Sequence, residues 1–368
     1  MNPYNPTDEG YMKLSLRLAR RGLGKTHPNP MVGAVLVKDG KVIGQGYHHY
    51  FGGAHAEIDA IKNAGGSVKG ATLYVTMEPC SHYNKKTPPC VDALVRSGIA
   101  RVVVGSLDPN PQVNGRGIGI LKQHGIDTKA GVLEDQCRVL NEAHFKFMTT
   151  GLPLVTVKFA ETIDGRIATA KGSSKWISSG ESRKLAHRLR ALNDAVMVGI
   201  GTVLADDPQL TVRLVKGRNP VRIIIDSKLR IPLEANILKS RESAPVIIAT
   251  TSRADKTKQG ALRDMGAEVL TVGANESGDV ELKELLVKLG QRGIASLLVE
   301  GGSEVITSLL GLGLVDKLVV FIAPKIMGEG IEAVGDLHID RVDKAIKLTY
   351  ERIRRSGADL VIEAKVSK

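Results

Sequence analysis

His55-Ala-Glu57, then Pro79-Cys80, then Pro88-Pro89-Cys90 decide how the first half of the chain is read. One imidazole and two thiols are a donor set for Zn²⁺. Zinc takes four ligands, so three protein groups leave one position for water, which marks a catalytic rather than a closed site. His55 follows Gly52-Gly53 at a predicted helix start. Cys80 follows a predicted strand and a proline, and Cys90 opens another predicted helix. Helix N-termini carry partial positive charge and lower a thiol's pKa. Residues i and i+2 do not face each other on a regular helix. His55 and Glu57 therefore converge only if His55 sits in an irregular first turn. Cys80 and Cys90 also fit a structural zinc pair or a disulfide, and His82 is a competing ligand. Cys137, on a predicted helix, reads as an inert buried thiol.

Outward from these residues, helices and strands alternate. Asp8–Arg21 places Met12, Leu16 and Ala19 at helical spacing behind the N-cap candidate Thr7. Val32–Val37 and Val42–Tyr47 are predicted strands around Asp39-Gly40, a hairpin signal. A helix over 54–63, a strand over 72–76, a helix from Pro88, a strand over 101–106, a helix near 118–124, a short strand and one final helix to Phe147 follow. That is a sheet with helices on both faces. All three cysteines and seven of the nine histidines precede residue 149, and Met148-Thr-Thr-Gly-Leu-Pro153 has linker chemistry. Two domains are expected, 1–148 and 149–368.

The 368 residues are 42% hydrophobic and 24% charged, as in ordinary globular chains. No apolar run reaches the ~18–20 residues that span a bilayer, and the N-terminus lacks a secretory pattern. A cytoplasmic location is expected. Residues 1–148 carry 18 Lys/Arg against 12 Asp/Glu and the remainder 33 against 27, so the net charge of +12 divides evenly. An evenly spread positive field suits a phosphorylated small molecule. Aromatic residues are only 4% and no basic run interleaves with them, so nucleic acid is not expected.

In the second half, strands are predicted at 154–160, 195–198, 221–225, 246–249, 296–299, 317–322 and near the C-terminus. Helices are predicted at 180–192, 255–265, 279–289 and 303–310. Glu300-Gly-Gly-Ser303 reads as a strand, a glycine turn and a helix start whose N–H groups can cradle phosphate. Leu204–Arg213 is a polar loop ending in arginine, consistent with an anion site.

The His-x-Glu and two-cysteine set matches nucleobase deaminases, with Glu57 as an acid/base that is not a ligand. Glu57 would take a proton from activated water and return it to departing ammonia. His27-Pro-Asn-Pro-Met-Val-Gly-Ala34, Glu78-Pro-Cys-Ser-His82, Thr87-Pro-Pro-Cys90 and Asp108-Pro-Asn-Pro111 extend this. Together they resemble the bifunctional deaminase–reductases of riboflavin biosynthesis over nearly the whole chain.

The resemblance implies a cytidine-deaminase-like three-layer α/β/α domain followed by a dihydrofolate-reductase-like α/β domain. It implies one zinc on His55, Cys80 and Cys90, with Glu57 catalytic. It implies a phosphorylated diaminopyrimidine substrate contacted by Asn29, His48, Lys86 and Thr87. The second domain would use NADPH to reduce the ribosyl group. Ala160, Trp176, Thr202, Asp206, Ser227 and Gly302, Ser303, Glu304, Val305, Ile306, Thr307 and Ser308 would contact NADPH. Ser174, Arg190, Leu210, Arg213 and Glu300 would contact substrate, and Lys158 would polarise or protonate the sugar. A homo-oligomer, dimer or tetramer, through the reductase domain is also implied. Three positions depart from the family pattern. The Tyr83–Thr87 loop is one residue longer, Gly53 replaces an acid, and Asp59 replaces a histidine. A tRNA or nucleobase deaminase with an appended binding domain shares the zinc motif, and a non-enzymatic zinc protein would enclose the metal with a fourth ligand.

Overall fold

The computed structural model describes residues 7–81, 88–111 and 113–367. They fall into two compact units, Met1–Gly151 and Leu152–Lys368.

The first unit runs α1 (Asp8–Ala19), β1 (Gly33–Lys38), β2 (Lys41–Tyr47), α2 (Ala56–Asn63), β3 (Thr72–Met77), α3 (Cys90–Arg96), β4 (Arg101–Ser106), α4 (Arg116–Gln123), β5 (Asp127–Lys129), α5 (Glu134–Leu140) and α6 (Glu142–Thr150). Thr7 caps α1 by accepting from the Gly10 N–H. Asp39 and Gly40 both take positive φ, closing the expected hairpin. The sheet order is β2-β1-β3-β4-β5. Ala56, Ala60, Val91, Leu94 and Leu121 of α2, α3 and α4 pack on one face. Tyr11, Met12, Leu16 and Cys137 of α1 and α5 pack on the other. This is the expected three-layer arrangement. The single helix expected to reach Phe147 is two helices. Asn141 leaves helical geometry between them, and its amide bonds both the N–H and the C=O of Met31. That tie is long-range, and no local pattern announces it.

α2 lies directly on β2. A Cβ placed on Gly46 would come 2.4 Å from the Ala56 carbonyl oxygen and 2.3 Å from the Ala60 nitrogen. Only glycine lets the two backbones approach so closely.

The second unit runs β6 (Leu154–Thr162), β7 (Arg166–Thr169), α7 (Gly180–Leu192), β8 (Ala195–Gly199), α8 (Ile200–Asp206), β9 (Val221–Ile225), α9 (Asn236–Lys239), β10 (Val246–Thr250), α10 (Lys256–Asp264), β11 (Glu268–Thr271), α11 (Leu282–Gln291), β12 (Ser296–Glu300), α12 (Ser303–Gly311), β13 (Lys317–Ala323), β14 (Gly330–Glu332), β15 (Leu348–Ser356) and β16 (Asp359–Val366). Nine strands form one sheet in the order β11-β10-β9-β8-β12-β6-β13-β16-β15. The pairs from β11 to β13 are parallel, and β16 and β15 add antiparallel. The central strands are continuous apolar runs because both faces are covered. α11 starts at Leu282, later than the predicted 279. Val280 is bridged to Ala274, and Glu281 serves as the N-cap, accepting from the Glu284 N–H. No helix among the described residues is long and apolar enough to cross a membrane.

Candidate active sites

His55 is the N-cap of α2 and has extended backbone (φ −71°, ψ 158°). That is the irregular first turn the spacing demanded. It turns the imidazole toward the sulfurs while Glu57 enters the helix. His55 Nδ1 lies 3.5 Å from Cys80 Sγ and 3.1 Å from Cys90 Sγ. All three ligand atoms lie within 4.8 Å of one another. Zn–S bonds of about 2.3 Å and Zn–N bonds of about 2.0–2.1 Å at a tetrahedral angle separate N from S by about 3.6 Å, so the donor set fits zinc. The Cys90 N–H donates to Cys80 Sγ at 3.3 Å. Contact with Cys80, then burial, push the Cys90 thiol well up. A divalent cation among the three groups reverses that direction, since a coordinating thiol is deprotonated.

Glu57 is 3% exposed. Burial raises its carboxyl, the nearby Cys80 adds to the rise, and the His55 charge opposes it. Glu57, His55 and Cys80 border a cavity of about 270 Å³ that Asn29, His48, Asp108 and Asn110 also line. His48 Nδ1 meets the Ala54 carbonyl at 3.0 Å, and a carbonyl only accepts. Nδ1 therefore carries the proton in neutral His48, and Nε2 accepts from Asn29 Nδ2 at 3.1 Å. This orients the Asn29 amide, keeping its NH₂ on His48 and leaving Oδ1 as the acceptor. Lys86, Thr87 and His82 lie outside the described residues. Cys137 is fully buried, with its thiol pushed up to about 12 by burial and the nearby Glu134, away from the ligand set.

Sequence reasoning missed Glu78 as a working residue. It is buried, and its carboxylate accepts from the N–H groups of Asp108 (3.3 Å), Gly115 (2.9 Å) and Ile118 (3.2 Å). A buried acid beside Pro-Cys was the available signal, but its partners lie 30–40 residues away. Three backbone donors on one carboxylate fix the wall that carries Asp108 and Asn110. Glu78→Ala is expected to raise the deaminase KM on the order of 10- to 100-fold while zinc content, read by metal analysis, is retained.

In the second unit, Lys158 on β6 and Glu300 on β12 are register partners. Arg190 of α7 forks onto Glu300, with Nε–Oε1 2.6 Å and Nη2–Oε2 2.8 Å. Burial alone would raise the Glu300 carboxyl, but Arg190, with help from Lys158, holds it down to about 2. Burial lowers Lys158; Glu300 opposes this and Arg190 adds to it. Lys158 Nζ also sits 5.3 Å from the Phe321 ring centroid. The Arg213 guanidinium is exposed, and among the described residues its side-chain hydrogen bonds go to the neutral Gln209 Oε1 and Thr211 Oγ1. Leu210 is buried with φ 55°.

Around these, Ser174 Oγ donates to Asp206 Oδ1 at 3.1 Å. Trp176 is 65% exposed, with Arg183 stacked 4.2 Å from its centroid and its carbonyl held by Lys325. Ser227 lies two residues past β9, and its carbonyl accepts both the Thr250 and Thr251 hydroxyls. Gly301 and Gly302 take positive φ, with Thr202 Oγ1 3.3 Å from where a Gly302 Cβ would stand. No side chain caps α12, so its first N–H groups remain available to a phosphate. Along Ser303–Ser308, Ile306 is fully buried in the core and Thr307 bonds the Ser303 carbonyl, while Glu304 is exposed and Val305 is partly buried. Ala160 on β6 packs beside the Phe321 cluster.

Residues 5–106 match the family model of the cytidine and deoxycytidylate deaminase zinc-binding region, and residues 153–362 match that of the RibD C-terminal domain. The chain is 50% identical to the riboflavin biosynthesis protein RibD of Aquifex aeolicus, over 96% of this chain and 97% of the relative. It is 40% identical to that of Escherichia coli over 96% and 98%. The solved structure of Acinetobacter baumannii RibD superposes with a TM-score of 0.89 at 37% identity, covering 98% and 99%. A Thermotoga maritima diaminohydroxyphosphoribosylaminopyrimidine deaminase/5-amino-6-(5-phosphoribosylamino)uracil reductase superposes with a TM-score of 0.85 at 38% identity, with the same coverage. A zinc-binding deaminase domain ahead of a dihydrofolate-reductase-like reductase domain, matched from end to end, places the chain in the RibD family of bifunctional riboflavin-biosynthesis enzymes.

Proposed function

We propose that residues 1–148 hydrolytically deaminate 2,5-diamino-6-(5-phosphoribosylamino)pyrimidin-4(3H)-one to the aminouracil. Residues 149–368 then reduce its ribosyl group to ribityl with NADPH. The observation that carries the first step is the convergence of His55, Cys80 and Cys90, two of which, His55 and Cys80, share a cavity with the buried Glu57.

His55, Cys80 and Cys90 would hold zinc, which would supply Lewis acidity to a water molecule. Glu57 takes the water's proton and delivers it to the amino group leaving as ammonia. Burial raises the Glu57 carboxyl toward the range where it can both accept and release a proton. Asn29, fixed by His48, offers an acceptor to the pyrimidine edge, and Lys86 and Thr87 attend the ribose phosphate. In the second unit NADPH would supply the hydride that reduces C1′, a reduction that frees the sugar's ring oxygen. Lys158 delivers a proton to that oxygen, and burial, which lowers its pKa, favours the release. Lys158, Arg190 and Arg213 and one carboxylate, Glu300, all act on His187, so the cluster has two surplus positive charges for a phosphate of about −1.5 to −2. Ser174 and Leu210 complete the substrate side. Ala160, Trp176, Thr202, Asp206, Ser227 and the Gly302–Ser308 turn serve NADPH.

Ammonia release and NADPH oxidation on the same phosphorylated diaminopyrimidine test the whole reading. Failure to oxidise NADPH with the deaminated ribosylamino compound would sink its second half. We further propose a cytoplasmic enzyme that does not act on nucleic acid and assembles as a homo-oligomer through the reductase half. β15 supports the assembly. It is an edge strand exposing Leu348, Tyr350 and Ile353, and such edges pair with other chains unless protected. Light scattering is expected to return a dimer or larger, and a monomer would remove this part.

A further inference from the structure

We propose that His187 is a positioning residue of the reductase. Its buried imidazole holds the backbone of Arg213, so that the guanidinium is set to receive the substrate's phosphate. This rests on the assignment of Arg213 to the substrate made above.

The segment from Asp207 to Arg213 has no regular structure, and Asp207 and Leu210 are left-handed (φ 43° and 55°). Non-glycine residues stay in that region only when their surroundings over-determine them. Here side chains do so from several elements. The Asp207 carboxylate accepts from the Asn236 N–H and amide. Arg222 of β9, fully buried, donates to the Gln209 carbonyl at 3.1 Å. Arg190 donates to the Thr211 carbonyl at 3.2 Å. The Val212 N–H donates to Asn219 Oδ1 at 2.6 Å. The chain leaves this clamp at Arg213, whose N–H donates to His187 Nδ1 at 3.0 Å. His187 is 7% exposed and stands one helical turn before Arg190 on α7.

The arrangement asks for an acceptor at Nδ1, hence an imidazole unprotonated there. Burial, then Arg190, Arg213 and Lys158, push His187 down to about 4 against the opposing pull of Glu300, so the acceptor persists at neutral pH. Among the described residues, the Arg213 guanidinium bonds the neutral Gln209 and Thr211. A loop set before substrate arrives loses little freedom on binding. His187 touches the backbone of Arg213 and acts through it.

The test uses the full-length, zinc-loaded protein, NADPH and the deaminated phosphoribosylamino substrate. His187→Ala is expected to raise the substrate KM on the order of tenfold, with kcat within about twofold and the KM for NADPH unchanged. His187→Asn, whose Oδ1 stands where Nδ1 stood, restores KM. His187→Gln, which keeps bulk but moves the acceptor outward, does not, and it replaces the alanine variant if that fails to fold. Arg213→Gln raises KM on its own, and adding His187→Ala to it changes KM little further. Unchanged KM in His187→Ala alongside raised KM in Arg213→Gln overturns the proposal and leaves the Arg213 assignment standing. Unchanged KM in both overturns the assignment and the proposal with it. Equal KM in the Asn and Gln variants, accompanied by a lowered melting temperature, reduces His187 to a packing residue and also overturns the proposal.

Discussion

Glu57→Gln lowers ammonia release by about 10²–10⁴-fold, the span of a lost general acid–base group, while zinc content and NADPH oxidation on the deaminated substrate stay as they were. Glutamine keeps the size of the side chain and its place in the first turn of α2, so the donor set of His55, Cys80 and Cys90 is not disturbed. What it removes is the capacity to accept a proton from water and return it to the leaving amine. A fully enclosed structural zinc would be indifferent to this exchange. Full deaminase activity in the variant would therefore return the site to the structural reading. Loss of zinc would instead mean that Glu57 supports the donor set.

Lys158→Met is the counterpart in the second unit. It is expected to lower kcat for reduction by about 10²–10⁴-fold, because a placed proton donor is lost, with ammonia release untouched. Methionine is a near match in length and leaves the Arg190–Glu300 fork in place. That fork matters to the design of the test. Breaking a buried pair by removing one partner costs about 3–5 kcal/mol, so variants of Arg190 or Glu300 confuse folding with chemistry. The pH profile gives a second readout. Lys158 donates only while protonated, and burial lowers its pKa. Wild-type kcat for reduction should fall on the alkaline side earlier than an ordinary lysine allows, and that limb should be missing in the variant. A shared alkaline limb would assign the proton to another group.

The sheets were legible because β4, β9, β10 and β12 each hold three consecutive Val, Ile or Leu residues, all buried. β7 and β11 escaped notice. They are short, and Arg166–Thr169 and Glu268–Thr271 hold too few apolar residues to register. α8 was hidden by Gly201 and Thr202, poor helix formers that tertiary packing overrides. The metal-binding residues were legible because ligand chemistry restricts residue type and order. The even spread of charge pointed to a small anionic ligand, and the surplus charge around His187 is positive, the sign such a ligand needs. Glu78 and His187 were not legible. Each works by accepting backbone N–H groups, and the residues it holds lie 26 or more positions along the chain. Any sequence can supply such donors, so nothing in the local pattern marks them. Of the two arginines expected to contact substrate, Arg190 forks onto Glu300, and Arg213 is the more open cation.

The bare contact of α2 with Gly46 has a mechanical meaning. The seat of the acid is machined into the strand itself, with no side chain serving as a spacer. Even one methyl group at Gly46 would act as a shim, tilting the helix that carries Glu57 off its mount. The placing of Glu57 is thus a fixed tolerance of main chain on main chain.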